Sequence, residues 1–145
     1  SRRLWEDSLL LQVKLHTFCL EGVIHFGKGY SWYEDRDYLK AFYEIGLAAD
    51  CFARTEEAMK ECCHDKWNGF YENDCQTDVK ETAYLLKLLM GYIRNLGDGP
   101  YFYQWQRQVI YPEKDRKIML LLNYENHLTD EELYQAMKEK KRNGF

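Results

Sequence analysis

The stretch Thr77 to Pro100, TDVKETAYLLKLLMGYIRNLGDGP, contains a start, a periodic body and a stop, and its reading decides the fold class. Thr77 offers a hydroxyl to an otherwise orphaned backbone N–H, and Asp78 places negative charge on the positive end of a helix dipole. Val79, Ala83, Leu86, Met90 and Ile93 then recur at steps of three and four, the spacing of one helical face. A second row, Leu85, Leu89, Tyr92 and Leu96, lies beside the first. An arc that wide predicts a central helix with more than one neighbour. Arg94 falls in its last turn, Gly97 suits a left-handed stop, and Pro100 cannot continue the same helix.

Working outward toward the N-terminus, Leu4 to about Phe26 is apolar on nearly every side. Leu4, Leu11, Leu15 and Phe18 share one face, and Leu9, Val13, Leu20 and Ile24 share another. The pattern predicts a helix packed on both sides, ended by Gly27 and Gly29. Ser31-Trp32-Tyr33-Glu34 has the spacing of a capping box, which opens a second helix running to about His64. Along it Tyr38, Phe42, Ile45, Ala49, Phe52, Met59 and Cys63 alternate by three and four, the seam of a left-handed bundle. Glu56 falls on the same seam, and Gly46 and Ala49 admit a close neighbour. Residues 65–76 break the period with Asn68-Gly69 and Asn73-Asp74, so they read as a connection carrying Trp67, Phe70 and Tyr71.

Beyond the quoted stretch, Pro100 suits the first position of a short helix over 101–111, interrupted by Pro112. The apolar run Ile118 to Leu122 fits either a helix or a buried strand within 115–124. Acidic residues near Pro112, and the want of a β-branched partner strand elsewhere, favour the helix. Thr129-Asp130-Glu131-Glu132 is a second capping box, opening a final helix with Leu133 and Met137 inward. The expected architecture is all-α, three long helices plus two or three shorter C-terminal ones, in a single domain over 1–145. A first residue other than methionine suggests a piece of a larger chain.

Composition narrows the function classes. A net charge of −4 argues against a general nucleic-acid binder, which needs a basic face. The one basic run, Lys138 to Arg142, reads as a solvated helix end. No stretch reads as the roughly 20 consecutive apolar residues of a bilayer span, so no membrane partner is expected. Five cysteines, an odd number and mostly within helical patterns, do not make a disulfide framework. Buried free thiols suggest the cytoplasm, although export of a parent protein stays open.

Glu61 and His64 have the spacing that di-iron bundles use, but no second copy of the motif accompanies them. His16 with Cys19 reads as a core histidine beside a core thiol. Neither a phosphate loop nor a nucleophile elbow is present, so no cofactor, metal ligand or catalytic residue is assigned. The strongest signal is aromatic content, 16% of residues, gathered near element ends. Tyr30 and Trp32 form one group, Trp67, Phe70 and Tyr71 a second, and Tyr101 and Trp105 a third. Rings in such places wedge between helix ends, or form a rim that packs on another domain or stacks on a sugar.

Two segments, YENDCQTDVKETAYLLKLLMGYIRNLGDGPYFYQWQR (Tyr71 to Arg107) and LLLNYENHLTDEELY (Leu120 to Tyr134), resemble C-terminal helical regions attached to large bacterial carbohydrate-active enzymes. The resemblance implies an accessory helical domain whose parent, of the class that includes glycoside hydrolases, supplies the catalytic carboxylates; it carries no catalytic residue onto any position here. Three functions stand in order. The first is a non-catalytic accessory domain packing on other domains of a parent enzyme. The second is a free-standing protein-interaction module, and the third a small enzyme or metal protein built in the bundle.

Overall fold

The computed structural model describes residues 2–72, 78–97 and 128–142, which form helices and turns with no strand among them. The short helix α1 (Arg2–Trp5), a π-helical segment (Glu6–Leu10) and the long helix α2 (Leu11–Glu34) follow one another directly. Trp5 and Leu10 keep helical backbone angles at the two junctions, so the chain runs on unbroken.

Gly27 and Gly29 do not end this helix. A glycine inside a helix costs roughly 1 kcal/mol against alanine but does not stop propagation. At Gly29 the absence of a side chain serves packing, because a Cβ would lie 2.8 Å from Ile45 Cδ1. The break comes instead at Asp35–Asp37, where Arg36 takes a left-handed φ of 60°. Asp37 then caps α3 (Tyr38–Met59), its Oδ1 accepting from the Lys40 N–H at 3.2 Å. The expected capping box Ser31–Glu34 thus lies in the last turn of α2. Nor does α3 reach His64; turns through Lys60–Cys63 lead to a 3-10 turn at Asp65–Trp67.

The start of α4 (Val79–Gly97) is fixed by Asp78, whose Oδ1 accepts from the Glu81 N–H at 2.8 Å. Thr77, its expected partner in capping, lies outside the described residues, as do the segments 101–111 and 115–124. The final helix α5 (Asp130–Arg142) opens with the expected box: the Thr129 N–H donates to Glu132 Oε2 at 2.7 Å, and the Glu132 N–H donates to Thr129 Oγ1 at 3.2 Å.

Among the described residues the helix with the most neighbours is α3, which packs on α2, α4 and α5. The helix α4, expected to touch more than one neighbour, meets α3 and α5. From α4, Leu86, Met90 and Ile93 enter the main core with Phe42, Ile45 and Ala49 of α3 and Leu133, Tyr134 and Met137 of α5. Of the second row of α4, Leu89 is half-buried against the same core, while Leu85, Tyr92 and Leu96 stay exposed. Gly46 does admit a close neighbour, since a Cβ there would run into the Tyr134 ring. The buried Arg94 is neutralised where α4 meets α5, donating from Nη1 to Asp130 Oδ1 at 2.8 Å.

A smaller cluster closes the other end of the α2–α3 pair, with Leu11 and Leu15 against Ala58 and Cys62, and Trp67 packed on them. The helical run Ser8–Glu34 is 27 residues long and, by length and composition, apolar enough to cross a membrane. Lys14, Glu21 and Lys28 divide it, so the run is apolar on average without being an unbroken apolar stretch.

Candidate functional site

The two sides of α2 differ in what they meet. Leu11, Leu15, Phe18, Gly22, His25, Gly29 and Trp32 follow each other at steps of four and three, and all are buried or half-buried. This inner seam lies on α3, so closely at Gly22 that a Cβ would stand 2.8 Å from Phe52 Cε2. An outer seam of identical spacing, Leu9, Val13, His16, Leu20, Val23, Gly27 and Tyr30, is exposed along its whole length. Val13, Leu20 and Val23 are 56, 63 and 57% exposed. Such values are those of surface residues, yet the residue types are those of a core.

The charges of α2 explain how one helix carries both. Lys14, Glu21 and Lys28 recur every seven residues, which places them on one flank of the inner seam. Lys14 Nζ lies 2.6 Å from Glu61 Oε1, and Glu21 Oε2 lies 3.2 Å from Arg54 Nη2. On the same side His25 Nδ1 is 2.7 Å from Glu44 Oε2. The polar chemistry is thus drawn toward α3. The outer seam carries no Asp, Glu, Lys or Arg from Leu9 to Tyr30, about six turns.

A shallow cleft of about 600 Å³ runs along α2, α3 and α5, lined by His25, Asp50, Cys51, Arg54, Glu57 and Lys138 among others. Its polar groups bind one another. Asp50 Oδ2 accepts from Tyr134 Oη at 2.7 Å and from Lys138 Nζ at 2.8 Å, while Arg54 Nη2 reaches Cys51 Sγ at 3.2 Å. Burial, and then the bond to Asp50, push the Tyr134 phenol far above its ordinary range, so it stays a donor. Tyr43 beside it is also raised, chiefly by burial and against the pull of Lys138. The Asp50 bonds tie α3 to α5, and Arg54, which also meets Glu21, holds α2 to α3; this is structural chemistry. Sequence reading passed over it because Asp50 sits in an apolar run; Tyr134 and Lys138, four apart on one helical face, were the available signal.

The aromatic groups separate. Tyr30, Trp32 and Tyr33 stand at the α2–α3 turn, with Tyr33 edge-on to Tyr38 at 6.0 Å and Lys40 Nζ 4.2 Å above the Trp32 ring. Trp67, Phe70 and Tyr71 stack edge-to-face at 5.3 and 4.9 Å around the far end of the same helix pair. Since α2 is 24 residues, about 36 Å, long, these are two sites and not one rim. Trp67 is half-buried with its Nε1 unpaired, Tyr71 Oη accepts from Gln12 Nε2, and Phe70 is 56% exposed. Tyr101 and Trp105 lie outside the described residues. Glu61, one half of the metal-like spacing, is engaged by Lys14.

No protein-family model, curated protein or solved structure matches this chain.

Proposed function

We propose that the chain is a non-catalytic helical packing module, an accessory domain that docks on other protein through the outward face of α2. The observation that carries this reading is the outer seam, uncharged over about six turns and left open by the bundle. Contiguous exposed apolar surface of this kind marks interaction sites in soluble proteins, and burying it returns about 25 cal/mol per Å².

A bilayer is the other solvent such a face would fit, and the bundle argues against it. With α2 seated on α3, a membrane span would draw Lys40, Glu44, Asp50, Arg54 and Glu57 of α3 into hydrocarbon. Each charge there costs about 2.5–3.5 kcal/mol or more. The resemblance of Tyr71 to Arg107 and Leu120 to Tyr134 makes a large carbohydrate-active enzyme, such as a glycoside hydrolase, the host class to examine first. Sugar contact in that setting falls to the aromatic ends, where Tyr30 and Phe70 are 55 and 56% exposed. Free thiols at Cys19, Cys51, Cys62 and Cys63 support a reducing compartment.

The test is Leu20→Glu, at the middle of the outer seam. Helix content should be unchanged and stability should move by no more than about 0.5 kcal/mol, as at other exposed positions. Association, whether of the isolated chain or within an intact host protein, should weaken. Unchanged association in both settings would overturn the docking role.

A further inference from the structure

We infer that the occupant of this face is the same face of a second copy, the two α2 helices pairing antiparallel about a two-fold axis. The inference rests on the docking role proposed above and names its partner. A two-fold interface must be complementary to itself, and three features of the outer seam meet that condition.

The first is register. In an antiparallel helix pair the positions that precede a step of three face those that precede a step of four. With the axis crossing at the level of residue 18, Leu9 stands opposite the partner's Gly27, Val13 opposite the partner's Val23, and His16 opposite the partner's Leu20. Each layer is then apolar or uncharged, and the bulk of Leu9 meets a position without a side chain.

The second is Gly27 itself. Of the glycines on the facing helices, Gly22, Gly29 and Gly46 each have a neighbour that a Cβ would strike, whereas a Cβ at Gly27 meets nothing within 4 Å. A glycine in a helix interior is unfavourable, and the monomer supplies no packing reason for this one. A notch for Leu9 of the partner supplies it.

The third is charge and area. The flanks of the outer seam, Leu10, Thr17 and Ile24 on one side and Gln12, Cys19 and Phe26 on the other, carry no ionisable acid or base of fixed sign. No like-charge contact opposes the face when it meets itself. From Leu9 to Gly27 the strip is about 27 Å long and roughly one helix, 10 Å, across. With side-chain relief it buries on the order of 600 Å² per copy, or about 1,200 Å² in all, the lower bound for specific stable interfaces. A reversible dimer follows.

Sedimentation equilibrium of the 145-residue chain over a wide concentration series tests this. The expected result is a monomer–dimer equilibrium that Val13→Glu and, separately, Gly27→Leu each weaken by more than about tenfold, with helix content retained in both and a monomer that Gly27→Leu does not destabilise. A Cβ at Gly27 meets nothing in the monomer and Leu is the better helix former, so a weakened dimer in Gly27→Leu is not a consequence of monomer unfolding. A chain that stays monomeric throughout, or a dimer that both variants leave intact, overturns the inference. So does a monomer that floats with phosphatidylcholine–phosphatidylglycerol vesicles and loses that binding in Val13→Glu. If the chain is monomeric and Leu20→Glu still loosens its hold on a host protein, self-pairing fails while the docking role stands; if neither changes, both fail.

Discussion

Tyr134 shows how much one side chain joins in this molecule. Its ring fills the space that Gly46 leaves, and its hydroxyl donates to Asp50, which Lys138 also engages. Tyr134→Phe keeps the ring and removes the donor. A lost hydrogen bond to a charged acceptor should cost about 1.5–3 kcal/mol at neutral pH, read by urea unfolding. The same phenol has an alkaline signature. Its folded pKa is raised, by burial first and Asp50 second, while the unfolded phenol titrates near 10. The stability it contributes is therefore complete below about pH 10 and is lost above it, at up to about 1.4 kcal/mol per pH unit. Tyr134→Phe should flatten that alkaline decline. Gly27 gives a prediction of opposite sign: with open space around its missing Cβ, Gly27→Ala should stabilise the monomer by up to about 1 kcal/mol.

Among the elements, α4 and α2 illustrate what periodicity states and what it leaves open. On α4 the row Val79, Ala83, Leu86, Met90 and Ile93 was legible in the sequence, and all five are buried. Leu86→Ala should cost about 2–5 kcal/mol, through lost transfer energy and a residual cavity; a change under about 1 kcal/mol would mean that this face is not the packed one. The second row was equally legible, yet apart from the half-buried Leu89 it is exposed, because only one side of α4 faces α3 and α5. Helix boundaries divide in the same way. The Thr129–Glu132 box is realised in full, since its two partners need only their own turn. The identical logic at Ser31–Glu34 fails because α2 continues through Gly29, where close contact with Ile45 favours a glycine inside the helix. Asp37 does the capping there, and Asp37→Ala should cost about 1 kcal/mol of thermal or urea stability.

For the molecule as a whole, the α2–α3 pair is a frame with a core at each end. Trp67 belongs to the smaller one, packed on Leu11, Leu15, Ala58 and Cys62. Trp67→Ala should destabilise the isolated chain by several kcal/mol, of the order of 3–5 for a fully buried ring and less for one half-buried. Loss of stability with no change in association would confine this end of the frame to folding. Circular dichroism should be dominated by helix, and a spectrum with the shape of a strand-rich protein would refute the architecture.

The sequence by itself determined the all-helical class, the inner face of α4, the cap of α5 and the two apolar rows of α2. Each of these depends on residues within a few turns of one another, where spacing and capping chemistry act directly. Only the tertiary structure decided which rows are covered. Among the described residues it gave α3 more helix neighbours than α4, carried α2 through Gly27 and Gly29, and drew Asp50, Tyr134 and Lys138 together across more than eighty positions. It also left the outer row of α2 open. Burial is a property of what stands opposite a face, and a helix carries the same pattern whether its neighbour is its own chain or another.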